Sequence, residues 1–375
     1  MKKLIRILRR IPDPRQTWKI RHSLAEILLI CILAVTANAN SSHEIHTFAV
    51  VHEQWLRRFV RLEKGIPSRF TFDRVLRLLN PKHFNIAFAQ IMQLFQTASK
   101  GSIVALDGKA YYNTHEGRGN AGVLYMVNAW CARNGMTLGY VETQEKSNEI
   151  TAIPELLKLL DVKGATVTID AIGCQHEIVK QIVLKNKADY AIALKMNQPT
   201  MFEEFSLYAQ HCLSQSDMGY LYEHHQTLEK GHGRIEKRDY YLFHDLAWFP
   251  DLAKWQNLHA LLMVKSTRQI IGRGPTTETR YFITSLTSVK DAATAIRTHW
   301  GIENNLHWVL DVVFKEDDWK TKDATSATNL AAIRRFTYNL LKAHPDHSTT
   351  PIKRYMCSLN LDFLESVVFN PNIFS

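Results

Sequence analysis

Two short apolar runs that each stop at an acid, IVALD (103–107) and ATVTID (165–170), decide how this chain reads. Each has the length and β-branched content of a strand buried on both faces. Between and after them lie GVLYMVNAWCA (122–132) and MTLGYVETQ (136–144), two further strand-like runs joined through Asn134-Gly135, a hairpin-turn pair. NEITAIPELLKLL (148–160) and QHEIVKQIVLKN (175–186) have helical spacing, and DYAIALK (189–195) is again strand-like. The order is three strands, helix, strand, helix, strand. The first three can form an antiparallel meander and the later two can add through helical crossovers. The expected fold class is therefore α/β: a mixed sheet with helices on its faces.

Upstream, residues 23–98 read as helical. In GIPSRFTFDRVLRLL (65–79) a turn feeds a helix for which Thr71 is a plausible N-cap. With Phe72, Val75 and Leu78 inward, Arg69, Arg74 and Arg77 face out. That suits a helix-turn-helix-like element offering charge to a DNA backbone, or an ordinary helical hairpin with a basic surface. Residues 1–22 carry eight basic side chains against Asp13 alone, which makes them either a solvated arm or a phosphate-binding one. LAEILLICILAVT (24–36) mimics a secretory leader. At 13 residues, interrupted by Glu26 and preceded by Pro12 and Pro14, it fits a buried helix better.

Downstream, 199–211 is helical, 219–286 is β-rich and includes the polar loop EKGHGRIEKR (229–238), and 291–314, 326–342 and the C-terminal segment are helical. The 375 residues are 46% hydrophobic and 22% charged, which excludes a disordered or low-complexity chain. The net charge of +10 permits nucleic acid or another anionic partner without choosing between them. Five widely spaced cysteines with no C-x-x-C argue against a disulfide scaffold and a cysteine-rich zinc site, and fit a reduced cytoplasmic setting. No G-x-x-x-x-G-K-[ST] is present, so a P-loop nucleotide cofactor is not expected.

If the strands ending at Asp107 and Asp170 are neighbours, their carboxylates emerge together. Such a pair repels itself unless a proton or a hard divalent cation sits between. Taken singly, each aspartate reads equally as a turn or cap residue. Within 291–314, Glu303, His307 and Asp311 recur at i, i+4 and i+8, a polar stripe beside the apolar Ile302, Leu306, Leu310 and Val313. A salt-bridged surface helix is the plainer reading. Trp300 and Trp308, with His299 and His307, make it unusually aromatic for a solvated face.

LDGK around Asp107, IDAIGCQ around Asp170 and HWGIENNLHWVLDVVFKED around Glu303 together resemble the DDE transposases of bacterial insertion sequences, within them the H-repeat-associated branch. The likeness extends over nearly the whole chain, through IPDPRQTWKIRHSLAEILLICILAV (11–35), GIPSRFTFDRVL (65–76), KSNEITAIPELL (146–157), LKMNQ (194–198) and GHGRIEKR (231–238). It implies an RNase H-like catalytic domain over 99–342 with a β-rich insertion at about 212–286. An N-terminal helical, basic, DNA-binding domain would cover 1–98, and a C-terminal tail 343–375. By resemblance Asp107, Asp170 and Glu303 are the catalytic acids, holding two divalent cations, Mg²⁺ or Mn²⁺.

The expected reaction is cleavage at element ends followed by 3′-hydroxyl strand transfer into target DNA. A metal-dependent nuclease without strand transfer, or a decayed copy that only binds DNA, are the alternatives. Arg234, Lys237, Lys195 with Asn197 and Gln198, Arg69, Arg74, Arg77 and His299 are the expected DNA contacts, and His307, Asp311 and Asn304 the supporting residues. The wider superfamily's Tyr–Arg–Glu–Lys signature is missing: Ile296, His299 and Leu310 stand at its other three positions. Its basic contacts would have to come from His299, Arg297 or Lys315. The implied partners are double-stranded DNA and, on it, a second copy of the chain; a membrane is not, and the implied location is the cytoplasm, at the nucleoid.

Overall fold

The computed structural model describes residues 2–95, 101–111, 124–143, 149–215, 222–231, 233–270, 272–318 and 323–374. The junction at 98/99 and the first residues of KSNEITAIPELL lie outside them.

Among the described residues nine strands form one mixed sheet in the order β3-β2-β1-β4-β5-β9-β8-β7-β6. They are β1 (Ile103–Tyr111), β2 (Leu124–Cys131), β3 (Met136–Thr143), β4 (Thr166–Ile169), β5 (Asp189–Leu194), β6 (Glu223–Gly231), β7 (Arg234–Phe243), β8 (Ala260–Ile270) and β9 (Thr276–Thr284). As expected, β1–β3 are an antiparallel meander, and β4 and β5 join parallel to β1. The β-rich stretch extends this same sheet: β9 pairs antiparallel with β5, then β8, β7 and β6 follow outward.

The helices are α1 (Lys2–Leu8), α2 (Leu24–Thr36), α3 (Ser42–Val51), α4 (Glu53–Leu56), α5 (Arg69–Leu78), α6 (Pro81–Phe95), α7 (Glu149–Leu159), α8 (His176–Lys180), α9 (Pro199–Ser214), α10 (Val289–His299), α11 (Ala324–Ala343), α12 (Thr350–Leu359), α13 (Leu361–Val368) and α14 (Pro371–Phe374). Period-2 alternation divides the sheet's side chains between two faces. Val104, Leu106, Val127 and Ala129 bury against α7, α8 and α9. Ala105, Met126, Trp130 and Tyr140 bury against the helical layer of α1–α6 and α11–α13. On that second face α10 covers β5 and β7–β9.

Several local expectations change. Residues 2–11 are no solvated arm: Leu4, Ile7, Leu8 and Ile11 are buried in the helical layer. The leader-like stretch is α2, buried along its length except at Glu26, which closes a capping box with Ser23. Helix α5 starts after Ser68 rather than at Thr71, and Leu76, not Leu78, joins Phe72 and Val75 inside. Residues 350–374 form three short helices, and the first two pack on α11. The 291–314 helix is two pieces. After α10 the chain breaks at Trp300-Gly301 and continues in wide π-type turns through Ile302–His307 and Val309–Val313. Such turns concentrate at functional sites. No helix among the described residues is long and apolar enough to cross a membrane.

Candidate active site

Asp107 does not end its strand. Pairing with β2 carries β1 on to Tyr111. β4 does stop, at Ile169, which lies opposite Leu106. Asp107 and Asp170 are therefore the next residues along two adjacent parallel strands. The register that buries Leu106 and Ile169 on one face sends both acids to the other, where α10 and the π-turn segment pack. Asp170 also serves as a cap, accepting from the Ile172 N–H at 3.2 Å. Asp107 accepts from the Gly108 N–H at 3.0 Å.

Glu303 arrives on the π-turn segment because Gly301 lets that backbone close on the sheet. A Cβ at Gly301 would lie 2.7 Å from the Trp130 ring. The polar stripe foreseen along this segment is real, and it docks on the sheet. Glu303 approaches Asp107, and their carboxylates with the His307 ring present ligand atoms within 4.8 Å of one another. His307 is buried, 3.7 Å from Asp107 and 3.6 Å from Glu303 through Nδ1. Asp311 meets Lys109 at 2.6 Å. Asp107, Asp170, Glu303, His299, Lys195 and Trp300 line one cavity of about 570 Å³.

The electrostatics are set by buried, neighbouring carboxylates. Burial, then the neighbouring carboxylates of Glu303 and Asp170, push the Asp107 carboxyl well above the usual carboxylate range. Glu303 is held below its ordinary value, first by its hydrogen bond with His307. The donor set is all oxygen apart from one imidazole, which suits a hard divalent cation.

The remaining expected residues divide. His299 donates to or accepts from Thr168 Oγ1 at 2.9 Å, and burial brings its pKa down to about 4. It is thus uncharged at neutral pH and offers hydrogen bonding rather than positive charge. Asn304 is exposed and bonds to the Trp300 carbonyl at 3.2 Å. Asn197 and Gln198 use their amides on the Ala171 and Cys174 carbonyls, pinning the loop behind Asp170. In the sheet extension Lys237 pairs with Asp239 at 3.3 Å and Arg234 with Glu236 at 3.7 Å. Arg297 grips Glu229 through two bonds of 2.9 Å. Lys315 is exposed, with a left-handed backbone at φ 50°. Arg69, Arg74 and Arg77 lie exposed on α5, and none makes an ion pair among the described residues.

Sequence reading missed four residues. Glu149, the first of α7, is buried against Gly108, where a Cβ would come within 2.3 Å of its carboxylate. Lys109, two residues past Asp107 and so on its face, is buried among Asp311, Glu316 and Asp317. Asn128 stands directly across β1 from Asp107, and Arg335 is wholly buried on α11. A charged residue inside an otherwise buried stretch was the available signal for Lys109 and Arg335. Glu149 and Asn128 gave none.

Comparison with known proteins bears on this arrangement. A family model described as "Transposase DDE domain" matches residues 93–340, and one described as "DDE_Tnp_1-associated" matches 5–92. The chain belongs to the DDE transposase family. It is 37% identical to "H repeat-associated putative transposase YhhI" of Escherichia coli (strain K12), over 91% of this chain and 90% of that protein. It is 36% identical to "Putative transposase YncI" of Escherichia coli O157:H7, over 96% and 92%. A shorter likeness, 38% over 20% of this chain and 90% of the other, is to "Inactive transposase YbfQ" of Escherichia coli (strain K12). Membership implies action on DNA and use of a divalent metal, and the Asp107–Glu303–His307 group fits such an ion.

Proposed function

We propose that this transposase cleaves phosphodiester bonds at the ends of its element and joins the freed 3′-hydroxyl to target DNA at one site built from Asp107, Asp170 and Glu303. The observation that carries the reading is the crowding of carboxylates around Asp107, whose carboxyl is raised by burial and then by the charge of Glu303 and Asp170. Two divalent cations, Mg²⁺ or Mn²⁺, would be held by these three acids. When bound they supply activation of the attacking oxygen and stabilisation of the leaving one. The chain's own part is positional. The β1–β4 register sets two acids side by side, and Gly301 brings in the third. His299, neutral and held on Thr168, offers hydrogen bonding at the cavity wall. Lys195 and Arg280 line the same cavity and offer positive charge to a phosphate. The strand order β3-β2-β1-β4-β5 with its acids on one face supports an RNase H-like core, with β6–β9 as the insertion that widens it.

DNA binding is assigned first to α5. Arg69, Arg74 and Arg77 are exposed and make no ion pair among the described residues, and they lie beside a cavity of about 510 Å³ lined by Lys19, Arg21, Lys64 and Arg74. Arg234 and Lys237 contribute less because Glu236 and Asp239 already meet them. Two ends must be processed together, so a homodimer on DNA is the working form, and the cytoplasm is the expected setting.

The test is a cleavage and joining assay on the DNA flanking the gene with a supercoiled target, run with Mg²⁺, Mn²⁺ or EDTA and with Glu303→Ala. Metal-dependent nicks and joined products, absent in the variant, are expected. Nicks without joining point to a nuclease, and salt-sensitive binding without cutting to a remnant.

A further inference from the structure

Behind His307 runs a chain of buried polar groups. Arg335 Nε donates to Asn128 Oδ1 at 2.6 Å. The same guanidinium donates from Nη1 to Glu316 Oε1 at 2.9 Å and to the Ala331 carbonyl at 3.1 Å. Arg335 and the Glu316 side chain are both fully buried. Arginine can only donate, so the Asn128 atom facing it must be the amide oxygen. The Asn128 NH₂ is thereby turned the other way, to the Met126 carbonyl at 3.2 Å and His307 Nε2 at 3.5 Å. An amide nitrogen has no lone pair to accept with. His307 Nε2 must therefore be the bare nitrogen, and the ring proton resides on Nδ1, the atom that faces Asp107 and Glu303.

We infer that His307 is a positioning residue rather than a metal ligand, fixed by the Asn128–Arg335–Glu316 chain in its Nδ1–H tautomer so that this N–H is aimed between the Asp107 and Glu303 carboxylates, 3.7 and 3.6 Å away. The lone pair that could have ligated a cation points at Asn128, away from the cavity. A ring read by distance alone as part of a three-residue cation cluster becomes the device that aims the other two. Arg335 acts at two removes, through an amide whose orientation it dictates. The inference rests on the reading of Asp107 and Glu303 as cation-holding acids, but the tautomer itself does not depend on any reaction.

The experiment is long-range ¹H–¹⁵N spectroscopy of the metal-free full chain labelled at histidine. Among the 17 histidines the His307 signals are those lost in His307→Asn. Expected is a protonated Nδ1 and a bare Nε2. Asn128→Asp keeps an oxygen for Arg335, so the core contact survives, but replaces the donor facing Nε2 with an acceptor. Its expected signature is a His307 ring protonated at Nε2. A wild-type ring bare at Nδ1, or a ring unchanged by Asn128→Asp in a folded chain, overturns the inference.

Two further measurements separate positioning from ligation. The Asn side-chain NH₂ can stand where Nδ1–H stood, so His307→Asn should retain at least about tenfold more activity than His307→Ala, the scale on which groups that orient metal ligands matter. Mn²⁺ titration followed by electron paramagnetic resonance should show affinity within about threefold of wild type in His307→Asn. Loss of imidazole nitrogen couplings from bound Mn²⁺ in that variant would instead establish a ligand. Failure to observe strand transfer would count against the proposed function and leave the tautomer result standing.

Discussion

Strand β1 carries two acidic clusters, one at Asp107 and one at Lys109. Around Lys109, three carboxylates (Asp311, Glu316 and Asp317) close on a buried ammonium, and Arg335 takes the other side of Glu316. Burial alone would lower the Lys109 pKa, yet those carboxylates hold it above its ordinary range. Around Asp107 the carboxylates of Glu303 and Asp170 gather, and burial followed by their charge drives the central one toward its neutral form. The same strand, face and residue types thus give one cluster settled around a buried ammonium and one that opens on the cavity, around a raised carboxyl. The first locks the Glu303 segment to the sheet. The second is where chemistry can occur.

Substitution at the open cluster should give the largest effect. Asp107→Asn is expected to lower cleavage by about 10³-fold or more, the scale of several kcal/mol of lost charge stabilisation. Its metal-free folding stability at neutral pH should be unchanged or higher. The comparison breaks if the variant unfolds. At the settled cluster, Lys109→Met should cost about 1–3 kcal/mol in urea unfolding, because it removes the ammonium shared by the buried Glu316 and the partly exposed Asp311 and Asp317. A cost near zero would show that the cluster is not closed.

Mn²⁺ at about a hundred times its Kd should stabilise the wild type by about 2.7 kcal/mol, seen as a rise in melting temperature that Asp107→Asn abolishes. The pH response sharpens the contrast. Because the Asp107 pKa is raised on folding, its charge opposes folding above that value. Metal-free stability should therefore rise as pH falls through the raised value toward the ordinary carboxylate range, and this rise should vanish in Asp107→Asn. Glu229 has the opposite sign: Arg297 first among its partners holds it at about 2 against an ordinary 4.5, so its contribution is lost as pH falls through that interval. The smallest effect is expected at that exposed pair, where Arg297→Gln should cost under about 1 kcal/mol.

The sheet's first five strands were legible from local apolar runs, and Asp107 and Asp170 stood out because such runs lead into them, whereas Glu303 was singled out by a helical stripe and all three were joined only by the family resemblance. Residue 107 could be read as a strand end only because Gly108 follows it. The pairing that carries β1 to Tyr111 is contributed by β2, which local pattern cannot weigh. The break at Gly301 was hidden for a related reason, since the need for glycine there is set by the Trp130 ring on a distant strand. His307 and Asp311 were visible as a stripe, but their partners Asn128 and Lys109 come from other elements. Leu78 was misplaced inward because the buried face runs through Phe72, Val75, Leu76 and Leu79 at i, i+3, i+4 and i+7, which leaves Leu78 outside it.

The helical layer has a consequence in time. Helix α2 is apolar on every side, and its neighbour α11 begins 288 residues after α2 ends. At about 5–20 residues per second of synthesis, α2 waits roughly 15–60 s for that partner. During that interval a nascent chain presents an unburied greasy rod to the cell's chaperones, and a copy of the gene truncated before α11 would present it permanently.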